Sequence, residues 1–123
     1  MASILLVDDS VMIQKTVQHV LRKVGHQVEV AGTVRDGVSL ATKIAFDLIL
    51  MDLNLPDFRG EEAIRGFREK MGMKTPILVI SGEIEVDTVL QLQPYDVSGY
   101  VAKAADFVDR LIEEVAKVLN RKL

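Results

Sequence analysis

The sequence contains no cysteine, and aromatic residues make up only 5% of it. The absence of cysteine excludes disulfides, thiolate catalysis and zinc–thiolate sites. Its apolar runs are far shorter than the ~20 residues that cross a bilayer. No basic run of the kind that contacts nucleic acid occurs. We therefore expect no membrane insertion, no nucleic-acid binding and a cytoplasmic location.

What the chain does have is the composition of one ordinary globular domain. It has 123 residues, of which 49% are hydrophobic and 27% charged, with a net charge of −3. Single domains cluster at roughly 100–150 residues, so the length predicts one domain spanning residues 1–123. The short apolar N-terminus reaches Asp8 and Asp9 at once and does not resemble a signal peptide.

Short apolar runs alternate with helical patterns along the chain. Runs rich in Ile, Leu and Val that end abruptly are typical of strands buried on both faces of a parallel sheet. Long crossovers between such strands predict an α/β fold with five parallel strands and five helices on both faces. The predicted strands are Ser3–Val7, Gln27–Ala31, Leu48–Met51, Pro76–Ile80 and Gly99–Val101.

Several residues predict where the helices begin and end. Ser10 is a candidate N-cap of the first helix, and Gly25 a candidate stop after it. Pro94 would interrupt a long fourth helix, so we expect a short or irregular one. The fifth helix is expected to end at about Leu119, which leaves Asn120–Leu123 too short for an output module.

Polar side chains follow the predicted strands where ligands bind in open α/β sheets, beyond the carboxyl ends of the strands. They are Asp8 and Asp9 after strand 1, Asp52 after strand 3, Ser81 after strand 4 and Lys103 after strand 5. Although these residues are far apart in sequence, the fold would gather them at one edge.

Three carboxylates brought together repel one another unless a cation joins them. Ligands that are all oxygen favour Mg²⁺, with Mn²⁺ as the alternative. Asp52 ends the most apolar run and is the best candidate for a nucleophile toward phosphorus. Asp8 and Asp9 would then hold the metal, while Ser81 and Lys103 would contact phosphoryl oxygens.

The segments that carry these residues resemble the receiver domain of two-component response regulators, and in particular the single-domain chemotaxis regulators. The resemblance covers the whole chain and is specific because the segments occur in order and at family-like spacing. They are Ile4–Ser10, Asp47–Pro56, Gly60, Pro76–Gly82 and Gly99–Lys103.

The resemblance implies a flavodoxin-like, doubly wound sheet with strand order 2-1-3-4-5. It also implies that Asp52 accepts a phosphoryl group from a sensor histidine kinase or a phosphotransfer protein. Asp8, Asp9 and Asp52 would bind Mg²⁺ together with the backbone carbonyl of Asn54. The protein would be a signalling switch and not an enzyme.

Further roles follow from the same resemblance. Ser81 would be the switch hydroxyl and Tyr100 the aromatic coupled to it. Lys103 would contact the phosphoryl group, while Asn54 and Glu83 would tune dephosphorylation. A downstream protein would dock on the face formed by helix 4, strand 5 and helix 5.

Two departures from the family pattern bear on these expectations. The family usually has Lys-Pro after strand 5, often with a cis bond, whereas this chain has Lys103-Ala104. A cis bond before a residue other than proline costs ~3 kcal/mol, so we expect a trans bond. Pro94 puts the shape of helix 4 in question, and with it the docking surface.

Other interpretations stay open. Taken alone, Asp8 and Asp9 are equally typical of acids that cap a helix. Ser81 alone is more typical of a loop, Tyr100 of a half-buried core aromatic and Lys103 of a solvated surface. One alternative function is a pseudo-receiver that binds a partner without phosphorylation. Another is a Mg²⁺-dependent phosphohydrolase with an aspartyl nucleophile, although such enzymes usually have an acid where this chain has Asn54. His19 and His26 are expected to be solvated.

Overall fold

The computed structural model describes residues 1–120 and contains one five-stranded parallel sheet in the order β2-β1-β3-β4-β5. The strands are β1 Ser3–Val7, β2 Gln27–Ala31, β3 Leu48–Asp52, β4 Ile77–Ser81 and β5 Gly99–Ala102. Five α-helices lie in the described part of the chain: α1 Val11–Lys23, α2 Val34–Lys43, α3 Gly60–Arg65, α4 Val86–Leu92 and α5 Phe107–Asn120. The predicted fold and strand order are confirmed. The expectation about Asn120–Leu123 is only partly covered: Asn120 is the last residue of α5, and residues 121–123 lie outside the described residues.

The sheet separates two apolar layers. One core cluster packs α1 and α5 on one face, through residues such as Val17, Leu21 and Leu111. The other packs α2, α3 and α4 on the opposite face, through Val34, Ile64 and others. β3 and β4 are buried along their whole length, which explains their continuous apolar runs. The edge strand β2 alternates instead.

The ends of α1 follow the sequence closely. The Ser10 side chain accepts a hydrogen bond from the Ile13 backbone N–H at 3.3 Å, as an N-cap residue does. Gly25 follows the helix with φ +96°, a backbone conformation that favours glycine. Both predicted signals are confirmed.

The fourth helix is short and irregular, as Pro94 predicts. α4 ends at Leu92 and continues as a single 3₁₀ turn over Gln93–Tyr95, with Pro94 inside it. Asp96 then takes a left-handed conformation, with φ 55°. Proline lacks the N–H that a longer α-helix would need.

The helix after β3 holds a feature that the periodicity does not reveal. Beyond α3 the chain widens into a π-helical turn over Gly66–Lys70, closed by a hydrogen bond from the Met71 N–H to the Gly66 carbonyl. Arg68 lies in this turn and donates to four backbone carbonyls, those of Met73, Thr75, Tyr95 and Asp96. Arg68 therefore ties the end of this helix to the 3₁₀ turn after α4.

His26 differs from its expected solvated state. It is half-buried in the turn before β2, and its Nδ1 accepts a hydrogen bond from the Ala2 N–H at 3.1 Å. Burial lowers the pKa of His26, and the N-terminal charge lowers it further. His19, by contrast, is exposed on α1. Within residues 1–120, no helix is both long and apolar enough to cross a membrane.

Candidate functional site

The predicted site residues lie at the carboxyl edge of the sheet. β3 and β4 each reach one residue beyond their expected ends, so Asp52 and Ser81 are the last residues of their strands. Asp8 follows β1 directly, and Lys103 follows β5. The rigid sheet backbone therefore positions Asp52 and Ser81 themselves.

Asp8 is fully buried. Its Oδ1 accepts a hydrogen bond from the Ser10 N–H at 2.8 Å, and its carbonyl accepts one from Gln14 Nε2 at 2.6 Å. Its Oδ2 has no hydrogen-bond donor, although the Lys103 ammonium lies 2.7 Å away as an ion-pair partner. A buried carboxylate oxygen that receives no hydrogen bond is suited to bind a cation.

Asp52 is also buried, with 2% of its surface exposed. Its Oδ1 accepts a hydrogen bond from the Asn54 N–H at 3.2 Å, and its Oδ2 lies 3.4 Å from Lys103 Nζ. Burial raises the pKa of Asp52, and the charge of Asp8 adds to this, against the lowering by the Asn54 N–H and by Lys103. Burial and the charge of Asp8 therefore disfavour the ionised form of the Asp52 carboxyl group.

Lys103 joins the two carboxylates. Its backbone N–H donates to the Ser81 carbonyl at 2.7 Å, which fixes the start of the loop after β5. The Lys103–Ala104 bond is trans, as expected from the absence of proline. With this bond trans, the ammonium still reaches both Asp8 and Asp52.

The donor set fits a hard divalent cation. Asp8, Asp9 and Asp52 each offer a carboxylate oxygen, and these oxygens all lie within 4.8 Å of one another. Asp9 is exposed and the other two are buried. The Asp8 Oδ2, which receives no hydrogen bond, and the all-oxygen donors suit Mg²⁺, or Mn²⁺, better than softer metals.

A polar cavity of about 220 Å³ lies between the loops after β3 and β4, and Leu53, the residue after Asp52, lines it. Asn54, Ser81 and Glu83 line it, so the structure brings these predicted residues together. The Ser81 hydroxyl donates to the Glu83 carbonyl at 2.9 Å. In this arrangement the hydroxyl is held by its own loop.

Tyr100 stands apart from this cluster. It lies in β5 opposite Val79, is half-buried, and packs at the edge of the core that includes Leu92 and Tyr95. Burial raises the pKa of its phenol. Tyr100 thus lies between the site edge and the α4 side of the sheet.

Sequence reasoning missed three charged residues that line this cavity, Arg59, Glu61 and Glu85. Arg59 lines the same polar cavity and pairs with Glu61, Nη2 to Oε2 at 3.1 Å. Its sequence neighbours carry no spacing that marks it, because its position depends on how Gly60 packs. A Cβ on Gly60 would come 2.5 Å from the Leu53 Cα, so only glycine allows this close approach.

Comparison with known proteins gives one consistent family. The sequence model of the response regulator receiver domain matches residues 4–116. The cell cycle transcriptional regulator CtrA of Caulobacter vibrioides is 31% identical over 118 residues, which cover 96% of this chain and 50% of CtrA. CtrA of Brucella ovis is 29% identical over the same shares. The chain therefore spans about half the length of these curated relatives.

Solved structures agree. The chemotaxis protein CheY4 of Vibrio cholerae is 31% identical, with a TM-score of 0.88 over 96% of this chain and 98% of that one. A two-component response regulator from Clostridium difficile has a TM-score of 0.91 at 19% identity, over 99% and 98% of the two chains. The second match bears on the fold alone.

Proposed function

The chain belongs to the response regulator receiver family of two-component signalling, and from this premise we propose that it is switched by transfer of a phosphoryl group to Asp52. Receiver domains bind Mg²⁺ through an acidic pocket and are regulatory proteins phosphorylated by histidine kinases or phosphotransfer proteins. The assignment of these steps to particular residues here, and of the whole of residues 1–123 to one receiver domain, is part of the proposal.

One observation carries the proposal: a buried carboxylate at the end of a central strand faces two other carboxylates and one lysine. Asp52 is held by rigid sheet backbone and receives the Asn54 N–H. Such burial raises its pKa and keeps a nucleophilic oxygen poorly solvated. Phosphoryl transfer requires mainly positioning and charge neutralisation, which Lys103 and a bound cation would supply.

The transfer step forms one bond and breaks one. An Asp52 carboxylate oxygen forms an O–P bond while the P–N bond to the donor imidazole breaks, and the imidazole nitrogen takes up a proton. Lys103 would contact a phosphoryl oxygen. A Mg²⁺ held by Asp8, Asp9, Asp52 and the Asn54 carbonyl would neutralise charge that builds up on the carboxylates and the phosphoryl oxygens.

The switch would run from Ser81 to Tyr100. Among residues 1–120, the Ser81 hydroxyl is bound to the Glu83 carbonyl alone. This neutral partner can be replaced by a phosphoryl oxygen, which gives a stronger, charge-assisted hydrogen bond. Movement of Ser81 would free space toward Tyr100 and shift a two-state population.

The output surface would be the face of α4, β5 and α5. Val86 and Leu90 are large and exposed on α4, with 74% and 55% of their surfaces accessible. We propose that a downstream protein binds there.

Asn54 and Glu83, both exposed at the cavity, would orient the water that later hydrolyses the acyl phosphate. A cytoplasmic location remains a prediction.

Acetyl phosphate with Mg²⁺ tests the proposal directly. We expect intact-protein mass spectrometry to show the gain of one phosphoryl group. This group should be labile in acid and in base, and hydroxylamine should remove it. Asp52→Asn should show no gain, whereas the matched control Asp109→Asn, an exposed change on α5, should behave as the wild type.

Three results would contradict the proposal. Labelling that persists in Asp52→Asn would move the acceptor elsewhere. Turnover of a phosphomonoester beyond one equivalent would favour the phosphohydrolase. Partner binding that is the same with and without beryllofluoride would favour the pseudo-receiver.

A further inference from the structure

Arg59 lines the polar cavity that Asn54 and Ser81 also line, and its backbone is fixed. It forms an isolated antiparallel bridge with Asn54, and the next residue, Gly60, donates its N–H to the Leu53 carbonyl at 3.0 Å. A Cβ on Gly60 would stand 2.7 Å from the Asp52 carbonyl oxygen. The backbone that carries Arg59 is therefore held against the backbone that carries the phosphoacceptor.

The Arg59 side chain is held only weakly. Its one ion-pair partner among residues 1–120 is Glu61, two positions away, and its side chain is 75% exposed. The Glu61 side chain is only 17% exposed, but the Arg59 end of the pair is open to water and salt, which screen the pair and make its contribution small. Arg59 can therefore exchange this partner at low cost.

The charges around the polar cavity make such an exchange favourable. Three carboxylates line it, those of Glu61, Glu83 and Glu85, and Arg59 is the one cation among its lining residues. Lys103 approaches Asp52 from the loop after β5 and is already paired with Asp8 and Asp52. Without Arg59, the charged residues that line this cavity would present only carboxylates to a phosphoryl group on Asp52.

We propose that Arg59 is a phosphoryl-binding residue, which leaves Glu61 and binds oxygens of the phosphoryl group when Asp52 carries one. This inference rests on the proposed function of Asp52. A phosphoryl group brings a charge near −2 and three strong acceptor oxygens. The planar guanidinium can donate to two such oxygens at once, whereas it contacts Glu61 only through Nη2 and Oε2. The exchange makes and breaks no covalent bond.

The proposal predicts opposite effects for the two partners of the present ion pair. Arg59→Ala removes the phosphoryl ligand, whereas Glu61→Gln releases Arg59 from its competitor. Arg59→Lys keeps the charge but loses the fork of donors, and should lie between wild type and Arg59→Ala. Arg65→Ala is the matched control. Arg65 is an exposed arginine at the end of α3, the helix that Arg59 precedes; it pairs with Glu69 and does not line the polar cavity.

Titration with beryllofluoride in the presence of Mg²⁺ measures this, since beryllofluoride imitates the phosphoryl group on an aspartate. We expect Arg59→Ala to bind about tenfold more weakly, the size of one lost charge-assisted contact. Glu61→Gln should bind about two- to threefold more tightly, and Arg65→Ala as the wild type. The melting temperature of each variant without beryllofluoride separates binding from a structural effect.

The outcomes divide clearly. Equal affinity of the wild type and Arg59→Ala overturns the inference while leaving the proposed function intact. Weaker binding by Glu61→Gln also overturns it, because the ion pair would then be a structural support and not a competitor. A wild type that neither binds beryllofluoride nor is labelled by acetyl phosphate overturns both proposals.

Discussion

At the scale of single residues, the site combines three carboxylates with one lysine. Asp8 and Asp52 are buried, and Lys103 is shared between them. Burial disfavours a charge that is not fully compensated. This arrangement therefore costs folding stability, as is common at functional sites, and it suits the proposed binding of a cation and a phosphoryl group.

Asp52→Asn should stabilise the protein in the absence of divalent cations. The amide keeps an oxygen for the Asn54 N–H but removes a buried charge beside Asp8, so we expect a gain on the order of 1 kcal/mol in the free energy of unfolding. Urea unfolding with a chelator measures it, with Asp109→Asn as the control. A loss of stability in Asp52→Asn would show that its ion pair with Lys103 outweighs the repulsion.

His26 gives the fold a pH dependence of predictable sign. Burial lowers its pKa below the ordinary histidine value of about 6.5, so the unfolded chain takes up a proton more readily between that lowered pKa and about 6.5. The stabilisation by neutral His26 is therefore complete above about pH 6.5 and is lost as the pH falls through the lowered pKa. Protonation also removes the acceptor for the Ala2 N–H.

We expect this loss to disappear in His26→Gln, which cannot titrate. Melting temperatures of the wild type and His26→Gln, compared from pH 7.5 to 5, should converge or cross as the pH falls. His19→Gln, a change on an exposed surface of α1, is the control and should follow the wild type. Parallel curves for the wild type and His26→Gln would exclude His26 as the source.

At the scale of elements, the segment from Gly60 to Lys70 decides how the loop after β3 meets the sheet. Gly60 packs against the backbone of Asp52 and Leu53. Directly after α3, the π-helical turn over Gly66–Lys70 contains Arg68, which donates to carbonyls around the 3₁₀ turn that follows α4. Arg68 thus anchors the C-terminal end of α4. At the other end of this helix, the N-cap residue Glu85 makes no side-chain capping hydrogen bond.

Two glycines in this segment provide a matched pair. Gly60→Ala would place a Cβ 2.5 Å from the Leu53 Cα, and backbone must shift to admit it, so we expect a loss of about 2 kcal/mol. Gly66 has helical dihedrals, and a Cβ there would meet nothing within 4 Å. Gly66→Ala should therefore gain about 0.5–1 kcal/mol.

Urea unfolding of both variants measures these changes in the free energy of unfolding. Gly60→Ala should in addition weaken beryllofluoride binding, because the loop that carries Asn54 and Arg59 moves with it. A Gly60→Ala protein as stable as the wild type would mean that the loop relaxes freely, and that its position is not fixed by this contact.

At the scale of the whole molecule, a cation at the sheet edge should stabilise the fold through linkage. A ligand present at one hundred times its dissociation constant adds about 2.7 kcal/mol to the free energy of unfolding when the unfolded chain does not bind it. We expect the melting temperature to rise with Mg²⁺ concentration and to return to its starting value on chelation.

Asp9→Asn is the sharpest variant for this measurement. Asp9 is exposed, so its loss should leave the stability of the metal-free protein nearly unchanged while removing most of the rise with Mg²⁺. Asp36→Asn, an exposed change in the first turn of α2, tests for a general effect of lost negative charge. A melting temperature that ignores Mg²⁺ in the wild type would count against the cation site.

The sequence by itself determined the strand and helix order, the positions of Asp8, Asp52, Ser81 and Lys103 at strand ends, and the irregular end of α4. These features depend on local signals: apolar periodicity, a capping serine, a proline. Parallel strands then bring their carboxyl ends to one edge, so the proximity of the acids follows from the fold class.

Only the tertiary structure decided the features that depend on contacts between distant segments. The Lys103 ammonium pairs with Asp8 more closely than with Asp52, and Arg59 reaches the polar cavity because Gly60 packs against Asp52. The half-buried state of His26 depends on Ala2, 24 residues away. Side-chain burial and pairing of this kind are set by the three-dimensional packing of residues that no local pattern links.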